Sequence, residues 1–300
     1  MKETEHIPHP SVTVVIVLYH PKKDDIEHIA RLADTCHGVI VDNSETRSFE
    51  EEHIGLMHYI PLLKNVGIAE AQNLGVRYIF NHTDATHIVF LDQDSDVPVT
   101  YADDIASIFD NIKRQFPNLA FLGPKTKNKR TGKEYKSVIH KENQLSSDFI
   151  LKREVISSGG CTTKEILEKV GLNDSRLFID YVDFDWCWRA KSMGLICGVT
   201  PAITIRHMVG QKTIYIGGHT IIVSSPPRYF YQFRNYLWLI RRYYVPLKWK
   251  INKGVKHLAQ FIYFPLFIKS GTTCWKYMVK GLWAGLSQAS EKDNTEHLHE

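Results

Sequence analysis

The chain has 300 residues, 43% hydrophobic and 23% charged, with a formal net charge of +4. That composition is ordinary for a globular protein with room for one large domain and an appendage. Its five cysteines (Cys36, Cys161, Cys187, Cys197 and Cys274) contain no Cys-x-x-Cys pair, which argues against a disulfide framework and for reduced thiols in a cytosolic setting.

The small net charge hides an asymmetry. Residues 1–185 carry 21 Lys and Arg against 29 Asp and Glu, whereas residues 186–290 carry 15 Lys and Arg and no acid at all. Such a stretch implies an anionic partner: a membrane surface, a phosphorylated substrate or nucleic acid. No recognised nucleic-acid motif accompanies the charge, so nucleic acid is not expected. The polar start, Met1 to His6, lacks the apolar core of a signal peptide, and no run approaches the apolar length of a membrane span.

In chain order, Ser11 to Leu18 reads as a buried strand and residues 24–36 as a helix with Ile26, Ile29, Ala30 and Ala33 on one face. Val39 to Val41 is a second strand, ending at Asp42-Asn43-Ser44, and Leu56 to Ile60 a third. Ile68 to Phe80 predicts a helix. His87 to Leu91 is an apolar strand that stops at Asp92-Gln93-Asp94. Residues 101–115 read as a helix, Leu119 to Leu122 as extended, and the polar residues 124–147 as an exposed excursion. A loop around Ser157 to Thr163 leads into a helix at 164–170. Residues 180–193 are helical again, and Ala202 to Ile205 is a strand before His207. Strand–helix alternation of this kind means an α/β fold with a mostly parallel sheet and helices on both faces.

From about Arg228 the composition changes. Sixteen of the 34 aromatics lie between Tyr229 and Trp283, interleaved with Lys and Arg. Phe230, Phe233, Leu237, Ile240 and Tyr244 fall at helical spacing, and a second apolar segment, Val255 to Phe264, stops at Pro265. These helices either pack on the main domain or rest on anionic lipid. The domain reading is a polar tail at 1–10, the α/β domain at 11–225, a basic aromatic helical region at 226–288 and an acidic tail at 289–300.

Four constellations fall at strand or loop ends, where open α/β sheets bind ligands. Asp42 and Asn43 suit a base N–H or ribose hydroxyl, or an Asx turn. Asn65-Val66-Gly67 leads into a helix carrying Ala69, Ala71 and Asn73; its N-terminus favours an anion, with generic capping the bland alternative. Asp92 and Asp94 repel each other unless a cation sits between them, although Asp96 and Pro98 also fit a plain turn. Asp180, Asp183 and Asp185 crowd one aromatic stretch. Asp185 and Arg189 are spaced to pair along a helix. Asp183, desolvated by Tyr181, Phe184 or Trp186, suits a general base. His207 is a candidate third metal ligand.

Taken in order, these residues resemble the family 2 glycosyltransferases of the GT-A fold, over about residues 12–245. The pieces are Leu18-Tyr19-His20-Pro21, Val41-Asp42-Asn43, Asn65-Val66-Gly67, Asp92-Gln93-Asp94, Ser158-Gly159-Gly160, and Asp180 to Arg189. Phe178-Ile179-Asp180-Tyr181-Val182-Asp183, with the later Ser225 to Tyr231 and Arg234-Asn235, looks most like the bacterial rhamnosyltransferase branch. Related galactofuranosyltransferases share much of the pattern.

The resemblance implies an inverting transferase with a nucleoside-diphosphate sugar donor, dTDP-rhamnose first and a UDP-sugar as the alternative. Asp42, Asn43, Asn65, Gly67, Asn73 and Asp92 would line the donor nucleotide. Asp92, Asp94 and His207 would hold Mg²⁺ or Mn²⁺, and Arg228 or Arg234 would neutralise diphosphate. Asp183 would be the base, with Asp180 its rival. Gly159, Gly160, Asp180 and Trp186 would face a saccharide acceptor, typically lipid-linked and made for a cell-surface polysaccharide, at the inner face of the cell membrane. Two departures stand out. Val182-Asp183 replaces the Glu-Asp of many relatives, and Gly159-Gly160 replaces the Ser-Gly-Ser of rhamnosyltransferases. Two rivals are a sugar-phosphate nucleotidyltransferase, which lacks its glycine-rich loop here, and a non-catalytic sugar-nucleotide binding module.

Overall fold

The computed structural model describes residues 11–128, 143–207, 212–216 and 219–287. Five strands come first: β1 (Val12–Leu18), β2 (Gly38–Asp42), β3 (His53–Ile54), β4 (Met57–Pro61) and β5 (His87–Asp92). Between them run α1 (Lys23–Ala33) and α2 (Ile68–His82), followed by α3 (Tyr101–Gln115). β1, β2 and β5 are almost wholly buried, as the uninterrupted Val and Ile runs require of strands covered on both faces. α1 buries Ile29, Leu32 and Ala33. α2 lies close on the sheet because Gly75 has no side chain; a Cβ there would sit 2.7 Å from Val15.

The rest of the sheet comprises β6 (Leu119–Asn128), β7 (Asn143–Gln144), β8 (Ile150–Lys152), β9 (Cys161–Thr163) and β10 (Ile196–His207). The order is β3-β4-β2-β1-β5-β9-β6-β10-β8-β7. The sheet is mixed rather than mostly parallel. β4-β2-β1-β5 is parallel, but β9 enters between β5 and β6 antiparallel to both. A three-residue strand after a glycine pair carries no periodic signal, so the sequence did not reveal it. α4 (Lys164–Val170) and α5 (Val182–Ser192) follow β9, separated by a 3₁₀ turn at Ser175–Leu177. A hairpin of β11 (Lys212–Ile216) and β12 (His219–Val223) stands apart from the main sheet.

Three helices end the described chain: α6 (Pro226–Leu239), α7 (Leu247–Phe267) and α8 (Gly271–Ser287). They share a second apolar cluster of Tyr229, Phe233, Phe264, Ile268, Cys274 and Met278. α7 does not stop at Pro265. Phe264 is anchored in that cluster, and a proline so near the helix end removes only one hydrogen bond. α8 packs against α6 through Gly281 and Gly285, where a Cβ on Gly281 would collide with the Phe230 carbonyl. Apart from Pro227, every residue of α6 is at least partly buried, so its aromatic stripe faces protein rather than a membrane. Among the described residues no helix is long and apolar enough to cross a membrane.

Candidate functional site

The loops at the carboxyl ends of the first strands are tied to one another. Tyr19 N–H donates to Gln93 Oε1 at 2.7 Å, which joins the end of β1 to the turn after β5. His20 N–H donates to Ser44 Oγ at 2.9 Å, which joins β1 to β2. Gly159 N–H donates to the Phe90 carbonyl at 2.7 Å, and Phe90 N–H to the Gly160 carbonyl at 2.9 Å. The glycine pair therefore runs beside the strand that delivers Asp92. Gly159 has φ +73°, and Tyr101 donates its hydroxyl to the Gly159 carbonyl at 2.6 Å. Ser158 Oγ is buried with no hydrogen-bond partner among the described residues.

Asp42 is 1% exposed. Its oxygens accept from Ser44 N–H (3.1 Å), Ser48 N–H (2.9 Å) and the Tyr59 hydroxyl (2.7 Å). Burial works to raise its pKa, yet these donors outweigh it and the carboxyl lies below its ordinary value. The side chain expected to reach a base or ribose instead holds the turn after β2. Asn43 and Asn65 form a clamp. Asn43 Nδ2 donates to Asn65 Oδ1 at 3.0 Å, Val66 N–H donates to Asn43 Oδ1 at 2.7 Å, and Gly67 N–H donates to Asn65 Oδ1 at 3.0 Å. Gly67 has φ +85°, and a Cβ there would lie 2.6 Å from the Phe178 ring and carbonyl. Asn73 exchanges two bonds with the Asn173 backbone, at 2.8 and 3.0 Å, so it joins α2 to the loop before α5.

Asp92 and Asp94 emerge at the end of β5, both partly exposed. They offer hard oxygen donors one residue apart. Mg²⁺ and Mn²⁺ suit one or two carboxylates with the remaining positions filled by water and phosphate, so this donor set fits such an ion. Among the described residues no group of three or more His, Cys, Asp or Glu assembles into a metal site. The His207 side chain lies outside the described residues.

The segment before α5 is unusual. Phe178, Asp180 and Tyr181 all have positive φ, at 64°, 69° and 65°. For such side chains this is strained and persists only when the surroundings over-determine it. α6 supplies the restraint. Asn235, fully buried, directs its amide nitrogen at the carbonyls of Leu177 (2.9 Å), Ile179 (2.9 Å) and Asp180 (3.2 Å). Arg228 closes a bidentate pair with Asp180 at 2.9 and 3.0 Å. The arginine expected at a diphosphate is thus paired with the rival base. Arg234 is likewise committed: it donates to the carbonyls of Arg176 and Leu177 at 2.7 and 3.1 Å and lies among the rings of Phe230, Tyr231 and Trp238. Sequence reasoning noticed Arg234-Asn235 as a motif but missed Asn235 as the latch. An Asn at an otherwise apolar helix position was the available signal.

Asp183 stands in the first turn of α5, half-buried, and lines a small, mostly apolar cavity of about 30 Å³ with Gln72, Asn73, Phe90, Phe121, Leu172 and Trp186. Trp186, expected to face an acceptor, is a core residue: it packs on Phe121 and donates to the Gly171 carbonyl at 2.8 Å. Asp185 is also structural. It has no exposed surface and accepts from Arg189 (3.1 Å), Arg242 (2.6 Å) and the Tyr244 hydroxyl (2.8 Å). Arg242 also bonds Asp174, whose carboxyl burial pushes up but Arg176 and Arg242 together bring down to about 2.

No family profile matches the chain. The chain is 33% identical over 288 residues to the dTDP-rhamnosyl transferase RfbF of Shigella flexneri, covering 92% of this chain and 94% of that protein. It is 20% identical over 210 residues to the low-salt glycan biosynthesis hexosyltransferase Agl10 of Haloferax volcanii, 65% of this chain and 66% of that one. Among solved structures, residues 1–349 of Staphylococcus aureus TarS superpose with a TM-score of 0.54 at 13% identity, covering 91% of this chain and 80% of TarS 1–349. GalNAc-T7, crystallised with UDP, GalNAc and Mn²⁺, superposes at 0.54 with 14% identity over 90% of this chain, which spans about half of that protein (54%). The structural likeness establishes the GT-A fold, and the near full-length identity to a rhamnosyltransferase places the chain, on that fold, in the rhamnosyltransferase-like branch of the family 2 glycosyltransferases.

Proposed function

We propose that the chain transfers L-rhamnose from dTDP-rhamnose to a hydroxyl of a saccharide acceptor, with inversion at the anomeric carbon. The observation that carries the reaction class is the pair of carboxylate groups on one framework of linked loops. Asp92 and Asp94 stand at the end of β5, and Asp183 stands in the first turn of α5 beside the cavity. The near full-length relative named for dTDP-rhamnose supplies the donor.

Each residue has a role in this reading. Asp92 and Asp94 hold a divalent cation, which when bound offsets the charge of the departing diphosphate. Asp42, Asn43 and Asn65 fix the loops around the nucleotide rather than reaching for it. The buried Gly159-Gly160 turn, whose backbone groups bond to Phe90, Ser157 and Tyr101, supports the acceptor side from beneath rather than touching the acceptor. Asp183 takes the proton of the acceptor hydroxyl as that oxygen bonds to the anomeric carbon. The bond from that carbon to the diphosphate breaks on the opposite face, and the nucleoside diphosphate leaves with the electron pair. Asp180, closed on Arg228, positions the strained turn that presents Asp183. We place the acceptor on a lipid carrier at the inner membrane face, for a cell-surface polysaccharide.

A thermal-shift titration tests the donor side. dTDP-rhamnose with Mn²⁺ stabilises the wild type, and chelator or Asp94→Ala abolishes the shift. UDP-galactofuranose or UDP-glucose in its place would identify a different sugar. No response to any donor overturns the reading.

A further inference from the structure

α7 has two apolar sides. One carries His257 and Phe264 into the protein. The other is formed by Leu247, Ile251, Val255, Leu258, Ile262 and Leu266, spaced four, four, three, four and four residues apart. That spacing keeps them on one side of the helix for about 28 Å. All are more than half exposed, up to 71% for Leu247. α8 repeats the device with Trp275, Val279, Trp283 and Leu286, of which Trp283 is 72% exposed. Apolar side chains lined up in this way form a patch, unlike the scattered leucines of an ordinary surface.

Charge decides what the patch meets. Lys248, Lys256, Lys269, Lys276 and Lys280 are exposed on the same two helices and the turn between them. No Asp or Glu occurs from residue 186 to 290. A second copy of this face would bring lysines against lysines with no acid to compensate. A nucleic acid would match the charge and leave the aliphatic stripe unserved. An anionic phospholipid surface serves both: its headgroups meet the lysines, its acyl boundary takes the stripe, and tryptophans sit well at that depth. Neither helix is long and apolar enough to cross the bilayer, so each lies in the plane of the interface.

We propose that the outer face of α7 and α8 docks the enzyme on an anionic phospholipid surface. This gives the lipid-borne acceptor proposed above its approach, and rests on that reading for its purpose alone. Vesicle binding is measured without donor or acceptor.

The test is flotation of the full chain with phosphatidylcholine vesicles, either pure or with roughly one third phosphatidylglycerol. One variant combines Leu258→Ser, Ile262→Ser and Trp283→Ser, all at exposed positions, with an unchanged melting temperature confirming the fold. A second combines Lys276→Gln and Lys280→Gln. The wild type floats with anionic vesicles and not with neutral ones. The apolar variant partitions at least about tenfold more weakly. The lysine variant binds more weakly and loses part of its salt dependence. The proposal is overturned if the wild type stays unbound on anionic vesicles at low salt, or if the apolar variant partitions like the wild type. It is equally overturned if the face proves to be a dimer contact that the apolar variant dissolves while no lipid is bound. A thermal shift by dTDP-rhamnose on the same samples reads the transferase assignment separately.

Discussion

At the scale of single residues, the site separates carboxylates that hold structure from those that stand ready for chemistry. Asp42, Asp174, Asp180 and Asp185 each close on donors of the protein itself. Asp183 lines the cavity. Asp183→Asn keeps the shape and removes the base, so kcat is expected to fall by about 10²–10⁴ with little change in donor KM. Steady-state kinetics with saturating acceptor measures it; an unchanged kcat would move the role to another group. Asn235 gives a sharper structural contrast. Asn235→Ala leaves buried carbonyls unsatisfied, at about 1–3 kcal/mol. Asn235→Asp loses the same carbonyl bonds but keeps an oxygen for Arg234, which donates to Oδ1 at 3.0 and 2.9 Å, and urea unfolding would show both variants less stable than the wild type. Asp174 links stability to pH. Its carboxyl is lowered from 3.8 to about 2 in the folded chain. Its contribution is therefore complete above pH 4 and lost as pH falls toward 2, about 2 kcal/mol in all. Asp174→Asn should flatten that part of the acid-unfolding curve.

At the scale of elements, the C-terminal helices are joined to each other by small residues and to the α/β domain by arginines. Gly281 and Gly285 let α8 lie on α6. Gly281→Leu forces the helices apart, and overpacking of this kind costs about 1–3 kcal/mol, read as a fall in melting temperature. Donor-induced stabilisation should survive if α2, β5 and the loops between them stay in place. Elements were legible where periodicity was long and uninterrupted. Residues 101–115 form the expected helix with the expected ends, and the strand ending at Asp92 falls where its apolar run predicted. Legibility failed where tertiary contacts decide. β9 has three residues and exists because β5 and β6 leave a slot between them. α7 passes Pro265 because Phe264 is anchored. The site shows the same division. Motif positions could be found from the order of residues, but a sequence does not show that Asp42 faces inward, that Trp186 is core, or that Arg228 is already paired.

At the scale of the whole molecule, the charge asymmetry resolves into two kinds of cation. Four arginines of the basic stretch turn inward: Arg189 and Arg242 to Asp185, Arg228 to Asp180 and Arg234 to backbone carbonyls, while the exposed Arg241 caps the Gly285 carbonyl. A planar guanidinium suits these fixed, several-bonded positions. The exposed cations on α7, α8 and their connecting turn are all lysines. Salt should therefore act on the two sets differently. Charges around fully buried Asp185 are weakly screened, whereas lysines in water are screened strongly beyond about 8 Å at physiological ionic strength. Raising salt from about 0.02 to 0.5 M should leave the melting temperature nearly unchanged. Arg242→Ala, by contrast, takes one of two arginines from buried Asp185, leaving Arg189 and Tyr244, and should cost about 1–3 kcal/mol at either salt. Calorimetry at the two ionic strengths, on wild type and Arg242→Ala, separates the sets. A wild-type melting temperature that falls steeply with salt would mean that surface attraction between the acidic and basic halves, rather than the buried arginine network, holds the helices on the sheet.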